Sequence, residues 1–108
     1  MDDARLSVSR ASETVQGEYG TVFFKKSGAL CLVRSSFSTN EPLASGTWII
    51  VCTTPAWVAV EDYWLTLRDS QGRNVGIWSI NNGVVKIYLH SKPSADNKIV
   101  IEGSVLMR

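Results

Sequence analysis

The chain has 108 residues, enough for one domain that closes one hydrophobic core. With 44% hydrophobic and 19% charged residues it is too apolar for a disordered chain. A net charge of +1, from 11 basic and 10 acidic residues, leaves no basic excess for a phosphate backbone and no polybasic stretch for an anionic membrane surface, and no apolar run approaches the roughly 18 residues of a spanning helix, so neither nucleic acid binding nor membrane insertion is expected.

The N-terminus, MDDARLSVSR, is acidic and then polar and lacks the apolar core of a signal peptide, so synthesis in a cytosol is the expectation unless a larger chain carries the export signal. Ala4, Leu6 and Val8 alternate with Arg5, Ser7 and Ser9, the period of a strand. Gln16 to Gly20 is polar and reads as a loop. Thr21 to Lys26 (TVFFKK) and Ala29 to Phe37 (ALCLVRSSF) form a hairpin about the turn at Ser27-Gly28. A loop carrying Pro42 leads to Thr47 to Thr53 (TWIIVCT), a nearly continuous apolar run that predicts a strand covered on both faces. Pro55 ends it, and Ala56 to Val60 reads as a loop or short edge segment.

Tyr63 to Arg68 (YWLTLR) returns from that segment, with Leu65 and Leu67 on one face. The turn Asp69 to Arg73 joins it to Asn74 to Ile80. Asn81-Asn82-Gly83 is a strong hairpin turn, because Asn and Gly tolerate positive φ. Val84 to His90 then places Val85, Ile87 and Leu89 on one face and Lys86, Tyr88 and His90 on the other. Lys98 to Met107 closes the chain, apolar on both faces (Ile99, Ile101, Val105 and Met107 against Val100 and Leu106). About eight short strands with glycine turns, and no helical period, predict an all-β fold: an antiparallel β-sandwich or jelly roll. The doubly apolar strands suggest an oligomer whose sister chains cover them, and a strand lying centrally under loops would show the same pattern.

Chemical signatures are sparse. Cys31 and Cys52 sit in apolar runs and read as buried reduced thiols, with a disulfide as the alternative if their strands are neighbours. Their spacing fits no zinc motif, and His90 is the one histidine, so neither a metal nor another cofactor is implied. Glu61 and Asp62 are adjacent and point opposite ways on an extended chain, a poor pair for glycosidic hydrolysis. Phosphate-cradling glycine motifs are absent, and no enzyme signature emerges.

Four tryptophans are many for this length. Trp48 and Trp78 read as core. Trp57, Tyr63 and Trp64 flank the Pro55–Asp62 segment, where aromatic faces suit sugar rings and the Asp62 carboxylate suits their hydroxyls. With His90 at a strand end beside a loop, the candidate saccharide-binding residues are Trp57, Asp62, Tyr63, Trp64 and His90.

Three stretches carry a family resemblance. Gly20 to Leu30 (GTVFFKKSGAL) resembles the opening hairpin of the C-terminal head domains of tailed-bacteriophage receptor-binding and tail-fibre proteins, with its V-x-x-x-K-x-G-x-hydrophobic pattern. Thr54-Pro55-Ala56-Trp57 resembles the L-P-x-G-Y/F stretch of that group, though Thr54 replaces Leu and no second Pro follows. Gly76 to Ile87 (GIWSINNGVVKI) is similar to its W-x-I-x-x-x-G-x-V-x-I hairpin. The resemblance covers residues 20 to 107 and makes 20–108 the head and 1–19 a neck remnant or an added strand. It implies a homotrimer of β-sandwich heads on the virion, at a tail or baseplate tip among other virion proteins. Such a head recognises a host cell-wall or capsular saccharide without cleaving it. A structural virion component that binds other proteins is the alternative, and a small polysaccharide hydrolase a third.

Overall fold

A computed structural model describes residues 12–58, 63–93 and 96–107. These form eight antiparallel strands and, among the described residues, no helix: β1 (Ser12–Gln16), β2 (Thr21–Ser27), β3 (Leu30–Ser38), β4 (Trp48–Thr53), β5 (Tyr63–Asp69), β6 (Asn74–Asn81), β7 (Val84–Leu89) and β8 (Lys98–Leu106). They make one sheet in the order β1-β2-β3-β8-β5-β6-β7-β4. The expected all-β fold of about eight antiparallel strands is present, and its closure is barrel-like.

Two four-stranded halves make up this barrel. On one side they join through β5 and β8, which pair only at Arg68–Val100 and Asp69–Ile99. On the other side β1 and β4 approach, and the Glu18 N–H donates to the Val51 carbonyl at 3.1 Å. A β-carbon on Gly17 would collide with that carbonyl oxygen, so a glycine at this position lets the seam close.

The turns follow from local chemistry. Asn82 (φ 52°) and Gly83 (φ 76°) both sit in the left-handed region, as a two-residue type I′ hairpin requires. At the other tight hairpin Gly28 takes φ 62° between Ser27 and Leu30. Alternating residues fill the interior: Phe24, Val33, Trp78, Ile87, Leu89 and Ile101 are each at most 1% exposed. Each such side chain contributes about 1.5–3 kcal/mol by leaving water. The Trp78 indole lies over Gly103, where an added β-carbon would stand 3.0 Å from Trp78 Cζ2 and 3.1 Å from Leu65 Cδ2. Gly103 thus clears the space that the largest core side chain fills.

Several expectations need correction. Residues 4–8, read as a strand, lie outside the described residues. The first strand described is Ser12–Gln16, so Gln16 ends a strand instead of opening a loop. Its only apolar side chain is the half-buried Val15, too little to produce an alternation. The strand of Thr47 to Thr53 is not covered on both faces within the chain. It lies at one end of the strand order, and Trp48 and Ile50 are 43% and 59% exposed on its outer face. Trp48 is therefore a surface residue, whereas Trp78 is the expected core tryptophan. β3 and β4 are not paired, and Cys31 and Cys52 are free, buried thiols.

Candidate functional site

Cross-strand register organises the outer face of β5, β6, β7 and β4 into two rows. Trp64, Ser79, Lys86 and Ile50 stand opposite one another in the first, and Thr66, Ile77, Tyr88 and Trp48 in the second. Residues paired across strands share a face, so these eight side chains form one surface. Trp64 is 71% exposed, the most exposed large apolar side chain among the described residues.

A shallow depression of about 310 Å³ runs from Trp64 along the strands, lined also by Leu65, Thr66, Asn74, Gly76, Ile77 and His90. Two of the five candidate residues, Trp64 and His90, thus meet at one site although β6 separates their strands. A bulge sets the His90 end. Leu67 pairs with Gly76 but Arg68 pairs with Asn74, so Val75 is extra, and its carbonyl accepts from the N–H groups of His90 (3.0 Å) and Ser91 (3.3 Å). A β-carbon on Gly76 would run into the Tyr88 carbonyl, so glycine is required where the strands crowd.

Side-chain bonds then orient the imidazole. Asn74 Oδ1 accepts from the Gly76 N–H at 3.1 Å and lies 3.3 Å from His90 Nε2, while His90 Nδ1 lies 2.8 Å from Ser91 Oγ. Because Asn74 Oδ1 is an acceptor, the neutral ring carries its proton on Nε2 and accepts the Ser91 hydroxyl at Nδ1. The site therefore offers a flat aromatic face, an imidazole ring held in place by Asn74 and Ser91, and the amide and hydroxyl groups of Asn74 and Thr66. That set suits a ligand with both C–H faces and hydroxyls.

The other candidates lie elsewhere. Trp57 is half-buried against the core, and its indole N–H donates to Glu13 Oε1 at 3.1 Å, tying the segment after β4 to β1. Tyr63 is also half-buried and packs on the core at the start of β5. Asp62 and Glu61 lie outside the described residues. Sequence reasoning missed Trp48, whose ring centroid is 5.4 Å from that of Tyr88 in a tilted pair, with Lys86 Nζ 5.5 Å above the indole. The alternation of Lys86 and Tyr88 marked their face as outward, but nothing local marked Trp48 as their neighbour.

Among the described residues no group of three or more His, Cys, Asp or Glu side chains is placed to hold a metal ion. In comparisons with known proteins, no family model, no curated protein and no solved structure matches the chain.

Proposed function

We propose that the chain is a non-catalytic saccharide-binding head, in the setting that its resemblance to phage receptor-binding domains implies: a homotrimer at the tip of a tail or baseplate. One observation carries the binding reading. Trp64 stands 71% exposed on a paired strand, at one end of a depression whose other end is lined by Asn74 and His90. A large aromatic left in water on a rigid element is a ready platform for a sugar ring, because little order is lost when the ligand stacks on it. Single-site affinity on such an open depression is weak, and three heads on one fibre tip would raise it by multivalency.

The trimer would use the other half of the barrel, where Leu30 and Leu106 pair in register and are 40% and 52% exposed. That apolar pair also supports the second reading, a structural virion component bound to other proteins.

A glycan array probed with the wild-type chain and with Trp64→Ala and His90→Ala tests the binding reading. The expected result is binding to bacterial surface glycans, lost in Trp64→Ala and weakened in His90→Ala. A wild-type chain that binds no glycan, yet forms a defined oligomer by light scattering, moves the assignment to the structural reading.

A further inference from the structure

We propose that the outer face of β5, β6, β7 and β4 is a track for an extended acidic polysaccharide, with Trp48, Tyr88 and Lys86 as a second subsite beyond the Trp64 depression. This rests on the saccharide reading and names the class of saccharide and the length of contact.

The two rows place Trp64 and Trp48 at diagonal corners of the face. Three strand spacings and two residues separate them, about 14 Å across the strands and about 7 Å along them. No single pyranose ring spans that distance, so a ligand that uses both indoles is a chain. Trp48 is a second platform in its own right: 43% exposed, tilted against Tyr88, on the end strand of the sheet.

Between the tryptophans the face holds two groups that call for a polar ligand. Ser79, in register between Trp64 and Lys86, is fully buried although it is on the outer face, and its Oγ has no hydrogen-bond partner among the described residues. A buried hydroxyl without a partner is costly, and a ligand hydroxyl or carboxylate that displaced the side chains covering it would relieve the cost. Lys86 is the one charged side chain of the eight, with its ammonium over the Trp48 ring and no carboxylate among those eight to balance it. A repeat bearing carboxylate or phosphate is the complementary occupant. The same charge argues against a second copy of this face. A two-fold contact centred on Lys86 would set it toward its own image with no acid among the eight side chains between them, and like charges opposed at an interface are costly.

The test is calorimetric titration of the full chain with uronate-bearing, phosphate-bearing and neutral polysaccharide fragments. Each is used as a disaccharide and as a fragment long enough to bridge the two tryptophans but too short to bridge two heads. The expected result is that a longer acidic fragment binds about tenfold tighter than its disaccharide, that Trp48→Ala and Lys86→Gln each remove this gain, and that disaccharide binding changes little in either variant. Matching near-ultraviolet spectra and melting curves verify that both variants fold. Affinity independent of length, equal preference for neutral fragments, or a gain that survives Trp48→Ala overturns the second subsite while binding that needs Trp64 persists. A wild-type chain that binds no fragment overturns the saccharide reading itself.

Discussion

The Asp69 carboxylate, with its side chain fully buried, clasps Arg73 across the β5–β6 turn: Oδ2 accepts from Nε at 3.0 Å and from a terminal guanidinium nitrogen at 2.9 Å. Oδ1 accepts from the backbone N–H groups of Gln71 (2.9 Å) and Arg73 (3.0 Å). Burial alone would raise this carboxyl's pKa, but the hydrogen bonds from Arg73 and Gln71 and the Arg73 charge outweigh it and hold the pKa below the usual carboxylate range. The turn is thus built around a charge.

Because the folded-state pKa of Asp69 is lowered, its stabilising contribution is complete above the unfolded value, near pH 4, and is lost as pH falls through the lowered folded value. Asp69→Asn is expected to lower the melting temperature at neutral pH and to converge on wild type in acid. Melting curves over a pH series check this, and a gap that stays constant down to strong acid contradicts it.

Much of the fold was legible because it is set by neighbours in sequence. The Asn82-Gly83 turn needs two positive φ values, and those two residue types announce it. Val85, Ile87 and Leu89 alternate with Lys86 and Tyr88, so their faces were readable without any partner. Trp48 was not readable, because TWIIVCT is apolar at successive positions and which face stays open depends on β4 pairing with β7 and ending the sheet. The meeting of Trp64 with His90 likewise depends on β6 lying between their strands and on the bulge at Val75, both non-local facts. Its place at the Pro55–Asp62 segment, read as an exposed loop, made Trp57 look like a ligand residue, yet its indole is held by Glu13.

The cysteines predict an alkaline limit. Burial pushes the Cys52 thiol up to about 11 from an ordinary 9.0, and burial also raises Cys31, with a backbone hydrogen bond at Lys25 acting the other way. A raised folded-state pKa gives stability that is complete below the unfolded value and lost as pH rises through the folded one, so the window for Cys52 runs from 9.0 to about 11. The loss is on the order of 2 kcal/mol across that window. Cys52→Ala is expected to reduce the alkaline slope of denaturant-midpoint measurements. Both thiols should resist an aromatic disulfide reagent until the chain unfolds, and rapid labelling of the native protein at neutral pH would contradict their burial.

Trp57 and Trp64 should separate stability from binding. Trp57→Ala removes a half-buried indole and its bond to Glu13, with an expected cost of about 1–3 kcal/mol. Trp64→Ala removes a side chain that is mostly in water, and its expected cost is within about 0.5 kcal/mol. Urea unfolding of both variants measures the difference. Equal losses would mean that Trp64 also supports the sheet, which would weaken its assignment as a platform.

Gly76 links the fold to the site most directly. It pairs with Leu67 on one side and Leu89 on the other, and a β-carbon there meets the Tyr88 carbonyl, a backbone atom that cannot swing aside. An alanine gains about 0.4–1 kcal/mol by restricting the unfolded chain, whereas forcing strands apart costs about 1–3 kcal/mol, so the loss wins. Gly76→Ala is therefore expected to lower the melting temperature by several degrees, at about 4–8 °C per kcal/mol for a domain of this size. It should also disturb the site, because the Gly76 N–H holds Asn74 Oδ1, which in turn lies against His90 Nε2. The imidazole resonances of His90 report this second effect by nuclear magnetic resonance. A Gly76→Ala chain with wild-type stability and an unmoved His90 signal would show that β6 and β7 can part without cost at this point, and that the imidazole is held by Ser91 alone.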